Sequence, residues 1–381
     1  MNNLSFLEKL LDGVEVEWTT LGNRRYIEIA NSGRKPVKAS LRVAGNTPYF
    51  GANNIQDYVD GHTHDGEFVL IAEDGSASLE KYSIQYATGK FWANNHVHVV
   101  RGEESLNSRF LYHYLCIVNF IPFLSGGGRA KLTKGKLVDI PIPIPCPENP
   151  KKSLEIQAEI VRILDTFTEL TTELTTELTT ELNARKKQYN YYRDQLLSFE
   201  EGEVEWKVLG DVCKKISSGK NKNKSEDGEF PVYGSTGIIG RTDNKVYEIE
   251  QILVARVGAN AGRVNIADGE YDVSDNTLIL HVKENISLKY LYYYLVNLNL
   301  NRFTKGAGQP LLTAGQLKAM IIPVPLLEEQ TRIVAILDKF DILANSISEG
   351  LPREIELRQK QYEYYRDLLL SFPKPDTEAV A

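Results

Sequence analysis

The sequence predicts a mixed α/β (α+β) protein built as one scaffold twice over: two globular domains at opposite ends of an antiparallel pair of long helices, with internal pseudo-twofold symmetry. Three observations lead there. A set of framing motifs recurs in the same order. The distance between copies varies through the globular parts and then locks. The locked segments carry apolar residues at helical spacing.

The motifs run as follows. Glu15-Val-Glu-Trp18 with Leu21-Gly22 returns as Glu203-Val-Glu-Trp206 with Leu209-Gly210. Phe110-Leu-Tyr-His-Tyr-Leu115 returns as Tyr290-Leu-Tyr-Tyr-Tyr-Leu295, and Leu132-Thr133 with Pro143-Ile-Pro145 returns as Leu312-Thr313 with Pro323-Val-Pro325. Gln157, Ile160-Val161 and Ile163-Leu164-Asp165 match Gln330, Ile333-Val334 and Ile336-Leu337-Asp338. Tyr191-Tyr-Arg-Asp194 matches Tyr364-Tyr-Arg-Asp367. The offset is 188 at Trp18/Trp206, 180 at Leu132/Leu312, and 173 from Gln157/Gln330 through Phe199/Phe372. Two independent faces are thus displayed on one repeated frame.

Residues 1–152 form the first domain, with strand-like runs at 69–71 and 97–100 and a Tyr-rich helix near 109–119. Residues 153–199 form the first long helix. Ile156, Ile160, Leu164, Phe167, Leu170 and Leu174 keep a three-to-four spacing, and no Pro or Gly falls between Pro150 and Gly202. At ~1.5 Å per residue such a rod is about 65–70 Å long. Within it, residues 168–182 read TELTTELTTELTTEL, a tandem four-residue unit. Its leucines drift by about 40° per unit, and its threonines lower intrinsic helicity, so packing must hold it. It reads either as a solvated low-complexity stretch or as a length spacer, each unit worth about 6 Å.

Residues 200–326 form the second domain, with strand-like runs at 252–257 and 277–282 and a helix near 288–298. Residues 327–372 form the second long helix, with an irregularity at Gly350-Leu-Pro352, and 373–381 are a tail. Residues 10–18 echo 197–206, so the chain start looks like the continuation expected after the second rod.

Composition is that of a globular protein: 381 residues, 42% hydrophobic and 25% charged, enough for at least two cores. No run of about 18 apolar residues and no signal-peptide pattern is present. Cys116, Cys146 and Cys213 stand far apart without metal or redox spacing. A cytoplasmic location is expected. The net charge of −7 points away from nucleic acid, yet base collects at Arg24-Arg25, Arg34-Lys35, residues 129–136 and residues 214–224.

The two-copy layout, the Pro-x-Pro exits, the Gln-x-x-Ile-Val-x-Ile-Leu-Asp helix starts and the Gln-Tyr-x-Tyr-Tyr-Arg-Asp ends resemble type I restriction–modification specificity subunits. The tandem Thr-x-Glu-Leu unit resembles that of the IC group. The resemblance covers nearly the whole chain. Phe230-Pro-Val-Tyr-Gly234 and Ala255-Arg-Val-Gly258-Ala-Asn-Ala-Gly262 look like the family's framework, with Pro48-Tyr-Phe-Gly51 and Ala72-Glu-Asp-Gly75 at the corresponding places. It implies that each domain is a target recognition domain reading one part of a bipartite double-stranded DNA site. Two methylation subunits would dock on the chain, and up to two motor–nuclease subunits would join them. S-adenosylmethionine, ATP and Mg would belong to those partners.

The chain itself carries no phosphate-cradling Gly-Lys-Ser/Thr loop, no Asn/Asp-Pro-Pro-aromatic motif, no Gly-x-Ser-x-Gly and no His-Glu-x-x-His, so it is expected to be non-catalytic and cofactor-free. His62, His64, His96 and His98 with Asp60 and Asp65 allow a metal on geometry, but a polar loop and strand edge explain them more simply.

For DNA contact the candidates are Arg129, Lys131 and Gln309, on Gly-rich loops at matched positions before Leu-Thr, with Lys134 just after Leu132-Thr133 in the same basic run. Lys214, Lys215, Lys220, Lys222 and Lys224 suit phosphates. Asn53, Asn54, Arg256, Asn260 and Arg263 suit base edges. For partner docking the candidates are Tyr189, Tyr191, Tyr192 and Arg193 with their twins Tyr362, Tyr364, Tyr365 and Arg366. Two rivals stand beside the DNA reading: a two-domain coiled-coil scaffold that binds protein, and a specificity subunit of another DNA-modification system.

Overall fold

The computed structural model describes residues 6–126, 130–222, 225–306, 308–345 and 350–374. The chain divides into two compact units, Met1–Thr175 with Leu357–Ala381, and Thr176–Glu356. Both crossings fall inside helices.

In the first unit a four-stranded sheet has Phe68–Ala72 and Val97–Gly102 at its centre and Ile27–Ile29 and Ile84–Ala87 at its edges. All five residues of Phe68–Ala72 are buried, as an apolar run covered on both faces must be. A second sheet is built on Ala44–Phe50, which pairs antiparallel with Ile55–Val59 and parallel with Lys90–Ala93. A ribbon joins Val16–Thr20 to Pro141–Pro145. Three prolines are tolerated there because the ribbon has two strands and each is an edge, while Ile142 and Ile144 are buried.

The second unit repeats this plan. Cys213–Ser218, Thr277–Val282, Gln251–Ala255 and Val264–Ala267 form the four-stranded sheet in the same spatial order. Phe230–Gly234 pairs antiparallel with Gly237–Thr242 and parallel with Asp272–Val273. Glu205–Val208 and Ile321–Val324 make the matching ribbon. The repeat read from the motifs is therefore a repeat of topology.

The long helices confirm the locked segments. Pro150–Leu196 is one helix of 47 residues. Its threonines return their hydroxyls to the carbonyls four residues back, as in Thr168 to Leu164 at 2.7 Å and Thr180 to Thr176 at 2.8 Å. The second copy is divided into Leu327–Asn345 and Leu351–Leu369. Gly350, at the irregularity expected from sequence, has φ +85°, and a Cβ there would lie 2.5 Å from the Ile342 carbonyl oxygen. Only glycine fits that left-handed stop.

Each helix is locked to its domain by motif residues that recur in both copies. Gln157, fully buried, accepts from the Asn107 N–H at 2.8 Å and donates to the Ser105 carbonyl at 2.9 Å. Gln330 does the same with the Ser287 N–H and the Pro325 carbonyl, both at 2.8 Å. Asp165 holds Arg109 and His113, and Asp338 holds Lys289 and Tyr293.

The first unit also answers the echo between the chain's start and the post-helix segment. Leu369, Leu370 and Phe372 are buried in one core with Leu7, Leu11 and Phe110, and the Trp18 indole N–H donates to the Pro373 carbonyl at 2.7 Å. Within this unit Phe167 meets Tyr365 and Thr168 meets Tyr362, so the start of one helix runs antiparallel to the end of the other. In the second unit Tyr189 and Leu197 share a core with Ile333 and Leu337 in the same sense.

Candidate nucleic-acid interface

Two loops closed in the same way lie at the end of each central sheet. In the first unit Ser125 and Lys131 exchange backbone hydrogen bonds of 2.9 and 2.8 Å; in the second, Lys305 and Leu311 exchange bonds of 3.0 and 2.8 Å. The closing residues differ by 180 in number in both cases (305 − 125 and 311 − 131). Gly126 and Gly306 open the loops with φ of +89° and +99°, a conformation that favours glycine. The residue after each loop anchors it to the strand edge beside it. Leu132 N–H donates to the Glu73 carbonyl at 2.7 Å, and Leu312 N–H to the Arg256 carbonyl at 2.8 Å. Thr133 and Thr313 then cap short helices, Lys134–Leu137 and Ala314–Lys318.

Glu73 and Arg256 therefore occupy equivalent positions with opposite charge. The Glu73 carboxylate is compensated by Arg34 at 2.6 Å and Lys131 at 3.0 Å. Burial would raise its pKa, but the bonds from Arg34 and Lys131 outweigh burial and hold the carboxyl below its ordinary value. His98 is buried between Asn31 and the Leu132 carbonyl, and desolvation pushes its pKa down. Arg256 is half-buried and donates one hydrogen bond, to Ser218 Oγ at 3.0 Å, while its Nε is buried without an acceptor among the described residues.

The candidate residues fall into distinct environments. Arg129 and Lys224 lie outside the described residues. Lys131 is tied back to Glu73. Lys134 is exposed beside a polar cleft with Arg24, Glu28 and Glu103. Gln309 is exposed on its loop. Lys214 pairs with Glu284 at 2.8 Å, and Lys215, Lys220 and Lys222 are exposed on and just after the edge strand Cys213–Ser218. Asn260 and Arg263 sit on the turn between Gln251–Ala255 and Val264–Ala267, where the Arg263 N–H donates to the Asn260 carbonyl at 2.9 Å.

Asn53 has a structural task. Its amide donates to the Gly75 carbonyl at 2.8 Å and accepts from the Ala77 N–H at 2.8 Å and the Ser83 hydroxyl at 2.5 Å, fastening the 75–83 segment. Asn54 beside it is exposed. Sequence reasoning passed over Glu73 and Arg34; the signal was the reversal of charge between Ala72-Glu73 and Ala255-Arg256.

Three of the histidines considered for a metal, His64, His96 and His98, have other partners. His64 stacks on Phe91 with centroids 5.1 Å apart, and His96 pairs with Asp74 at 2.5 Å. Among the described residues no group of three or more metal-binding side chains occurs.

The helix-end tyrosines sort by burial. Tyr189 is 9% exposed, Tyr192 stacks on Phe340, and Tyr191 stands 59% exposed. Tyr362 donates to or accepts from Thr168, Tyr365 packs on Phe167, and Tyr364 stands 64% exposed. Arg193 and Arg366 each pair with the following aspartate.

A family model described as the type I restriction modification DNA specificity domain matches residues 15–184 and again 201–357. The chain belongs to that family. It is 52% identical to a Haemophilus influenzae protein named as a type I restriction enzyme specificity subunit, over 97% of this chain and 99% of that one. It is 40% identical to the Escherichia coli EcoR124I/EcoR124II specificity subunit, over 99% of each. Among solved structures, the S subunit of a type I restriction-modification system from M. genitalium matches with a TM-score of 0.53 at 17% identity, covering 96% of this chain and 98% of that one. A chain from a structure concerned with assembly of the type I R-M system matches with a TM-score of 0.60 at 17% identity, covering 93% and 97%. These last two show the shared fold of this specificity family: mixed helix and sheet in two units with a long helix.

Proposed function

We propose that this specificity subunit reads a bipartite double-stranded DNA target, one part per unit, and directs adenine-N6 methylation and DNA cleavage carried out by partner subunits. The observation that carries the reading is the pair of loops, closed by backbone bonds at equivalent positions and differing in sequence between them. A frame held constant while its exposed residues differ is what independent recognition of two half-sites requires. The chain contributes recognition and scaffolding, and catalysis resides in the partners. Two methylation subunits dock at the helix ends through Tyr191 and Tyr364, and up to two motor–nuclease subunits complete the enzyme. S-adenosylmethionine, ATP and Mg serve those chains, in the cytoplasm.

The test is methylation mapping. The chain, expressed with the methylation subunit encoded beside it, should produce methyladenine in a two-part motif with a fixed gap, absent when the chain is omitted. A complex that forms yet methylates nothing would refute the reading and favour a protein-binding scaffold.

A further inference from the structure

The two units treat one equivalent position in opposite ways. Glu73 is fully compensated, with Arg34 and Lys131 bonded to its carboxylate. Arg256 has no carboxylate partner among the described residues and a single hydroxyl acceptor, Ser218. Its Nε is buried with no acceptor among the described residues. The hydroxyl of Thr277, fully buried at the register partner of Ala255, is the second orphaned polar group at this corner. A half-buried guanidinium with unmet donors is costly, and an arriving anion offsets that cost.

The surrounding backbone brings further base to the corner. The Gly219 N–H donates to the Thr277 carbonyl and the Lys220 N–H to the Val273 carbonyl, both at 3.0 Å, which places the exposed Lys220 next to this turn. Val257, the residue after Arg256, bridges to Leu311, whose loop partner is the exposed Lys305. The acids nearby are otherwise engaged or unpaired with Arg256: Asp272 accepts from Asn221 at 2.7 Å, and Asp275 contacts Ser274.

We infer that Arg256 is a DNA-phosphate anchor of the second unit, and that the first unit lacks the equivalent anchor because an acidic residue, Glu73, stands at that position and engages Arg34 and Lys131 itself. This rests on the DNA-reading function proposed above and assigns Arg256 to backbone attachment instead of base recognition. The charge deficit is the reason: a base edge offers partial charges, whereas a phosphate supplies the full counter-charge that the corner lacks.

The experiment compares the assembled methylation complex with its Arg256→Gln and Arg256→Lys forms on a random-sequence DNA duplex through a salt series. Arg256→Gln should bind about tenfold more weakly, with the salt dependence of log K shallower by about one, and the methylated motif should stay the same. Arg256→Lys should keep the wild-type salt dependence, since it keeps the charge. If the Gln form fails to fold, as thermal melting would reveal, Arg256→Met, which keeps the aliphatic stem and removes the charge, takes its place and should show the same shallower slope. A Gln form that binds random duplex like wild type, or that alters the methylated motif, overturns the anchor while leaving DNA reading intact. A wild-type complex indifferent to duplex DNA overturns both.

Discussion

The ring of Phe167 packs against that of Tyr365 with centroids 6.0 Å apart, and the same two repeat positions meet again as Phe340 and Tyr192 at 5.6 Å. Each long-helix end thus spends two of its three tyrosines, Tyr189 and Tyr192 or Tyr362 and Tyr365, on its own unit's helix packing and leaves Tyr191 or Tyr364 outward. Alanine at Tyr191 or Tyr364 should weaken capture of the methylation subunit by about tenfold without lowering the melting temperature, because exposed aromatic side chains act as interface anchors. Alanine at Tyr189, 9% exposed, should instead destabilise the second unit by about 3–5 kcal/mol. Pull-down titration and thermal melting separate the two. Equal behaviour of Tyr189 and Tyr191 variants would remove the docking assignment.

Gln157 and Gln330 each satisfy a helix-cap N–H and a carbonyl that are otherwise shut away from water. Leucine at either position fills similar volume but strands both groups. The expected loss is about 2–4 kcal/mol in the unit concerned. Chemical denaturation followed by hydrogen exchange should place the loss in the residues around 105–107 for Gln157→Leu and around 287 and 325 for Gln330→Leu.

Acid should weaken the first unit more than the second. Burial pushes the pKa of both His98 and His113 below the ordinary 6.5, although Asp165 opposes it at His113. The unfolded chain therefore binds protons that the folded chain refuses. Their stabilisation is present above pH 6.5 and is lost as pH falls through the folded values. The carboxyls of Glu73 and Asp165, held below 4.5 and 3.8 by bonds from Arg34 and Lys131 and from Arg109 and His113 that outweigh burial, extend the loss to lower pH. The second unit has Tyr293 where the first has His113, and His281 as its one histidine. His113→Tyr should lower the acid sensitivity of the first unit's melting temperature by a few degrees. An unchanged profile would mean that His113 does not titrate on unfolding.

Much of this fold was legible because repetition reports architecture without any knowledge of contacts. The constant offset from Gln157 to Phe199 marked the helices, and Gly350 marked their break. What stayed hidden is long-range pairing between dissimilar residues. Nothing local to Glu73 announces that Arg34 and Lys131 converge on it from 39 and 58 residues away (73 − 34 and 131 − 73). Nor does the Asn53-Asn54 pair reveal that one amide is committed to the 75–83 segment while its neighbour stays exposed. Composition suits Asn for adenine, but geometry decides which Asn is free.

The Thr-Thr-Glu-Leu tandem makes the last prediction quantitative. It lies wholly within Pro150–Leu196, the helix in which the chain passes from the first unit to the second. One inserted unit adds about 6 Å of rise and about 40° beyond a full turn. B-DNA rises about 3.4 Å and turns about 34–36° per base pair. Translation therefore asks for nearly two extra base pairs, while rotation is met by about one. A gap longer by one to two base pairs is therefore expected, with both half-sites unchanged. Methylation mapping of the insertion variant reads this directly. An unchanged gap would show that the tandem does not set the distance between half-sites, and altered half-sites would show that recognition is coupled to helix length.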